Sequence, residues 1–232
     1  MSRVVEIEDL GQIRYADASA LQDALVGARQ RDEIPDRLLL LEHPPVITYG
    51  RRAGTQHLLA SPALVTRQGV ELCATDRGGD ITFHGPGQLV GYLIVKLEGA
   101  ERSVPRLFST LERAICAALA RYGVDAEGGT GGAQRAGAED GGVHLGRAGV
   151  WIGTDKICAI GMKLSSWVTK HGFALNVDVK DEYFQMITPC GLSDAGVVSM
   201  AQICAQTPPL AALKQALAEE FASAFERNPR WR

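Results

Sequence analysis

The chain lacks an excess of either charge. Its 232 residues carry 24 Lys and Arg against 27 Asp and Glu, a net charge of −3. That balance argues against a nucleic-acid partner, which calls for a basic face and usually a basic pI. No apolar run approaches the length needed to span a bilayer, and Met1-Ser2-Arg3-Val4-Val5-Glu6 carries no basic and apolar signal region. No membrane partner is therefore expected, and the default location is cytoplasmic. Cysteine is scarce. The five, at positions 73, 116, 158, 190 and 204, are odd in number and widely spread, with no Cys-x-x-Cys pair. No disulfide framework is expected on that pattern, and most of the five are expected as small core residues. Cys158, His171 and Cys190 have none of the short spacings of zinc ligands, so no metal is expected. The phosphate-binding patterns are missing too: there is no Gly-x-x-x-x-Gly-Lys-Ser/Thr, and Gly85-Pro86-Gly87 does not continue as Gly-x-Gly-x-x-Gly. No bound cofactor is expected, and no repeat of fixed period is visible.

What is present is an ordinary globular composition, 46% apolar and 22% charged, long enough for one large domain over residues 1–232. Leu21, Ala24, Leu25 and Ala28 recur at helical spacing and predict a helix over residues 18–29. Four consecutive leucines at 38–41 and a second apolar piece at 46–49 predict strands on either side of His43-Pro44-Pro45. Residues 70–75 predict another strand, and the nearly continuous apolar run 89–97 predicts a central strand covered on both faces. Ser103 is placed to cap a helix bearing Leu107, Phe108, Leu111, Ile115 and Leu119 on one face, with Gly123 to end it. Residues 127–142 hold seven glycines and predict a mobile loop, taken to extend to about 145. Strand-like sequence resumes at 150–152, 157–164 and 173–177. A last helix opens after Thr207-Pro208-Pro209 and buries Leu210, Leu213, Leu217 and Phe221. Strands with interspersed helices and no strict βαβ alternation predict an α/β protein of the α+β type, a mixed β-sheet flanked by helices.

Two segments carry chemistry. Arg77-Gly78-Gly79-Asp80-Ile81-Thr82-Phe83-His84-Gly85-Pro86-Gly87-Gln88 sets four glycines and an imidazole in one run, so a ligand can approach the main chain closely. Pro189-Cys190-Gly191 offers a thiol, the strongest nucleophile the chain has. Taken singly, Cys190 reads as inert core, Lys156 as a solvated charge, and His84 as a turn residue as readily as a ligand contact.

Together with Lys156-Ile157-Cys158-Ala159-Ile160-Gly161, His171-Gly172-Phe173-Ala174-Leu175-Asn176, Leu41-Glu42-His43-Pro44-Pro45 and Gly50-Arg51, these segments resemble the lipoyl(octanoyl) transferase family over roughly residues 38–200. Several ordered motifs at matching separations are far more specific than one. The resemblance implies the fold of the biotin and lipoate protein ligase catalytic domains. It also implies transfer of an octanoyl group from octanoyl-acyl carrier protein to a lysine of a lipoyl domain. Acceptors would be the lipoyl domains of 2-oxoacid dehydrogenase subunits and the glycine cleavage H protein. By the same resemblance Cys190 is the nucleophile and carries an acyl thioester, and Lys156 is its partner base. Arg77, Gly78, Gly79, Asp80, Ile81, Thr82, Phe83 and His84, with Ala159, Ile160 and Gly161 and with Gly172, Phe173 and Ala174, would line the acyl pocket. The glycine-rich loop is longer than the family pattern and reads as a surface insertion. Arg51, Arg52 and Arg77 are expected as a basic rim for acidic carrier proteins, and the enzyme is expected as a monomer. Two alternatives remain open: an ATP-dependent lipoate or octanoate ligase of the same fold, and a non-catalytic acyl-binding protein.

Overall fold

The computed structural model describes residues 3–51, 53, 57–132, 147–188 and 196–232. The strands are β1 (Arg3–Gln12), β2 (Asp36–Glu42), β3 (Val46–Tyr49), β4 (Glu71–Ala74), β5 (Ile81–His84), β6 (Gln88–Ile94), β7 (Glu127–Gly128), β8 (Gly149–Ile152), β9 (Asp155–Ser165), β10 (Val168–Asn176) and β11 (Arg227–Trp231). The α-helices are α1 (Tyr15–Gln30), α2 (Pro62–Arg67), α3 (Val104–Ala120), α4 (Gly129–Gly132), α5 (Met200–Ile203) and α6 (Leu210–Ala224). 3₁₀ turns at Gly99–Glu101 and Asp181–Met186 lie among the described residues.

Eight strands form one mixed sheet in the order β11-β1-β2-β6-β10-β9-β8-β7. β1 runs parallel to both β11 and β2, and the pairs from β2 to β7 are antiparallel. The four leucines of β2 explain why the sheet is covered on both sides. Leu38 and Leu40 join the core under α3 and α6, whereas Leu39 and Leu41 join the cluster under α1, because successive side chains of a strand point to opposite faces. α3 begins where Ser103 accepts a hydrogen bond from the Arg106 amide, as expected, and buries Leu107, Phe108, Leu111, Ile115 and Leu119. A smaller sheet, β4-β3-β5, packs over a second core containing Ile47, Val65, Ile81, Phe83 and Met186. The mixed sheet flanked by helices is the architecture expected from the sequence.

Several elements depart from the sequence reading. β1 and β11 were not anticipated; β11 reads Arg-Asn-Pro-Arg-Trp, without apolar alternation, and occupies a sheet edge where proline is tolerated. α2 lies in a segment to which the sequence pattern assigns no element, and β5 lies within the glycine-rich run. Part of the glycine-rich stretch is ordered as β7 and α4, because β7 completes the far edge of the large sheet against β8. The rest of that stretch, 133–146, lies outside the described residues. Among the described residues no helix is long and apolar enough to cross a membrane.

Candidate active site

The glycine-rich run crosses from the small sheet to the large one. Its Gly78 amide donates to the Met162 carbonyl of β9 at 3.0 Å, and the Gly50 amide donates to the Asp80 carbonyl at 3.0 Å. A Cβ on Gly50 would sit 2.4 Å from the Gly79 carbonyl oxygen, and Gly79 itself has φ +90°. This crossing therefore needs glycine at both positions.

Arg77 is buried rather than on a rim, which corrects the expectation that it meets a partner protein. Its Nη2 donates to the Thr48 carbonyl at 2.7 Å and to Thr48 Oγ1 at 2.9 Å, and Nη1 donates to the Gly78 carbonyl at 3.1 Å. A guanidinium bonded to its own loop and to β3 is an internal strut. Arg51 is exposed, and Arg52 lies outside the described residues.

Behind this loop lies a cavity of about 60 Å³, walled by β5, β9 and β10. Arg77, Gly78, Gly79, Asp80, Ile81, Thr82, His84, Ala159, Ile160, Gly161, Gly172, Phe173 and Ala174 line it. Phe83 does not. Thr82 and His84 occupy one face of β5, and the alternation of the strand turns Phe83 away into the small core, stacked on Tyr183 at 4.5 Å between ring centroids. Tyr15, Tyr92 and His171 also line the cavity and were not on the expected list. Tyr92 carried a signal, a hydroxyl within an otherwise apolar central strand. Tyr15 precedes the predicted helix and carried none.

Gly91 and Gly172 let β6 and β10 come together at the cavity floor. A Cβ on Gly172 would lie 2.2 Å from the Gly91 carbonyl oxygen, and one on Gly91 would enter the Phe173 ring.

Two imidazoles, His84 and His171, line the cavity, and a third, His43, lies behind them with its ring centroid 5.8 Å from that of His84; His171 lies 6.2 Å from the Tyr92 ring. Burial drives all three pKa values down, to about 4 for His43, about 3 for His84 and about 4 for His171. His43 donates from Nδ1 to the Ile13 carbonyl at 2.7 Å, and the Tyr92 hydroxyl donates to its Nε2 at 2.7 Å. His171 meets Asp76 at 2.6 Å. Burial would raise Asp76, but hydrogen bonds from Lys163 and His171 outweigh it and hold the carboxyl well below the usual range. Lys163 Nζ lies 2.8 Å from Asp76, and Lys170 Nζ lies 2.5 Å from Asp23. Both lysines near Lys156 in sequence are thus bound to carboxylates.

The three neutral imidazoles make stability sensitive to acid. Their folded pKa values lie below the unfolded value of about 6.5, so the unfolded chain binds more protons between roughly pH 6.5 and pH 4. Stability is full above that window and falls as pH drops through it, by about 1.4 kcal/mol per pH unit for each histidine still neutral. Urea titrations at pH 7, 6 and 5 measure this directly, and an unfolding free energy flat over that range would contradict it.

Lys156 lies on β9, three residues before the cavity-lining Ala159, and is buried. Its Nζ rests 4.6 Å from the centre of the Trp151 ring, a cation–π distance. A Cβ on Gly149 (φ +138°) would strike the Cys158 carbonyl at 2.6 Å and meet the lysine stem at 3.5 Å. The backbone of Lys156 pairs with the segment that follows Cys190: its amide donates to Gly196 at 2.9 Å, and the Val198 amide donates to its carbonyl at 3.1 Å. Cys190 itself lies outside the described residues. Buried Glu112 of α3 accepts from the Thr130 and Gly149 amides, at 3.0 Å each, tying together residues on either side of the 133–146 stretch. Among the described residues no three His, Cys, Asp or Glu side chains are grouped to hold a metal ion.

Residues 14–222 match the family of lipoyl protein ligase A/B catalytic domains. The chain is 42% identical to an octanoyltransferase of Chloroflexus aurantiacus, over 98% of its own length and 97% of that relative's. It belongs to the octanoyltransferase family. An octanoyltransferase of Myxococcus xanthus is 40% identical over 96% of the chain, which spans 60% of that relative's length. Among solved structures, a lipoate-protein ligase A bound with ATP matches with a TM-score of 0.75 at 14% identity, over 100% of this chain and 89% of that one. That likeness is one of fold. As a member of the octanoyltransferase family, the chain is an acyltransferase.

Proposed function

We propose that this chain moves an octanoyl group from octanoyl-acyl carrier protein to a lysine of a lipoyl domain, through a thioester on Cys190. The observation that carries the reading is the 42% identity to an octanoyltransferase over nearly the whole of both chains. The cavity beside the lysine strand supports it. In the first step Cys190 gives its proton to Lys156 and the thiolate attacks the octanoyl carbonyl, the carbon–sulfur bond to the carrier breaks, and the carrier's thiolate takes the proton back from Lys156 and leaves as a thiol. In the second the acceptor amine attacks the enzyme thioester, forms the amide and returns the cysteine, while Lys156 takes the amine's proton. An amide is more resonance-stabilised than a thioester, so transfer runs downhill without ATP. Arg77, Gly78, Gly79, His84 and the lining residues of β9 and β10 would enclose the chain. Each methylene they bury contributes about 0.8 kcal/mol. Carrier protein and lipoyl domain are the proposed partners, the cytoplasm the proposed location and the monomer the proposed state.

Intact mass spectrometry after incubation with octanoyl-acyl carrier protein, without ATP or acceptor, tests the reading. The expected result is a gain of one octanoyl group on the parent protein and none on Cys190→Ala, discharged when a lipoyl domain is added. Transfer that appears with ATP alone, with no adduct on either protein, would overturn it in favour of the ligase.

A further inference from the structure

The direction of one buried hydrogen-bond chain can be read from its far end. The Val198 carbonyl can only accept, so the Asn176 atom facing it at 3.2 Å is Nδ2. The other end of that amide is then Oδ1, which also only accepts, so Gln88 meets it through Nε2 at 2.9 Å. Gln88 is left with Oε1 toward His84 Nδ1 at 2.8 Å, and that nitrogen must carry the proton. His84, Gln88 and Asn176 are all buried, so no competing water sets the polarity. His84 lines the cavity and Gln88 does not, which leaves Nε2 as the ring nitrogen available to it.

We infer that Gln88 and Asn176 are positioning residues that hold His84 neutral with its proton on Nδ1, so that Nε2 accepts a hydrogen bond from a substrate N–H at the cavity wall. Tyr92 is disposed in the same sense: its hydroxyl proton goes to His43, and its oxygen keeps lone pairs beside the same cavity. The wall at this corner therefore accepts rather than donates, and His84 does not polarise the acyl carbonyl. Burial keeps the His84 pKa at about 3, so the ring holds an N–H in place rather than taking its proton at neutral pH. The N–H groups to be held belong either to the amide arm of the acyl donor or to the incoming amine. This role in catalysis rests on the octanoyl-transfer reading; the proton assignment does not.

Two-bond nitrogen–proton correlation spectra of the ¹⁵N-histidine-labelled protein decide the assignment, with His84→Gln identifying which of the five histidines is His84. The expected wild-type signal at pH 7 is a neutral ring protonated on Nδ1; an Nε2–H ring or an imidazolium overturns the inference whether or not any variant folds. Gln88→Leu removes the acceptor, and the ring is expected to move to the Nε2–H form that an unconstrained histidine side chain prefers. Octanoyl transfer is then expected to fall by about tenfold or more. A fall in the mass-detected acylation step assigns the donor's amide, and a fall in discharge alone assigns the amine. A Gln88→Leu ring that changes form while both steps stay within about twofold overturns the positioning role. If the wild-type protein moves no octanoyl group, the functional reading fails, and the wild-type spectrum still decides where the proton sits.

Discussion

Lys156→Met is expected to lower octanoyl transfer to a lipoyl domain by about 10²- to 10⁴-fold, the range for losing a positioned proton carrier. The thermal midpoint is expected to stay within roughly 4 °C of the parent. The two expectations separate because of where the side chain sits. Its stem passes Gly149 and its ammonium lies over the Trp151 ring, away from bulk water. Methionine is close to lysine in length, and its thioether can keep a favourable contact with the Trp151 ring. Methionine therefore keeps the packing and removes the chemistry. Lys156→Arg is not expected to rescue, since a guanidinium does not give up its proton and the wall beside Gly149 leaves little room for it. Single-turnover transfer from the octanoylated enzyme is the measurement. A Lys156→Met protein within tenfold of the parent would remove this lysine from the mechanism.

Asp36→Ala is expected to cost about 3–5 kcal/mol of unfolding free energy, the range for breaking a buried ion pair from one side. Asp36 is 1% exposed and holds two arginines at once. Arg29 Nε lies 2.7 Å from Oδ1, and Arg227 Nε lies 2.7 Å from Oδ2. The Lys96 amide adds a third donor at 3.1 Å. Removing the carboxylate leaves two buried guanidinium groups short of their shared partner, although Asp32 still meets Arg29 and Glu101 still meets Arg227. The same carboxylate anchors β11 at the sheet edge through Arg227, so the C-terminal strand is expected to become sensitive to protease before the rest of the fold. Urea titration with matched m-values and limited proteolysis followed by mass measurement test both statements. A loss below about 1 kcal/mol, with the C-terminus still protected, would mean that Asp32 and Glu101 suffice to hold the two arginines.

Much of the architecture was legible in the chain because it is written in near-neighbour periodicity. The capping Ser103 and the apolar face from Leu107 to Leu119 determine α3. The leucines at 38–41 determine a strand buried on both faces, since one face of such a run cannot be left in water. The glycines at 78, 79, 161 and 172 lie where main chains meet, and the motifs containing them converge on one cavity although they are scattered over about a hundred residues.

What the tertiary structure decided concerns partners far apart in sequence. β11 has no pattern of its own; it is a strand through its parallel pairing with β1, and Arg227 anchors it to Asp36, 191 residues away. Arg77 turns inward because Thr48 offers two oxygens to it, so an arginine in a charged-looking loop serves as a strut. Phe83 and His84 diverge because alternation along β5 sends neighbours to opposite sides, and which side faces the cavity depends on how the small sheet docks. The proton of His84 is set by a carbonyl at Val198, through Gln88 and Asn176, 88 residues apart. Sequence alone determined the residue types, the spans with helix or strand periodicity and the family. Burial and hydrogen-bond polarity, which depend on contacts between distant segments, were decided by the fold.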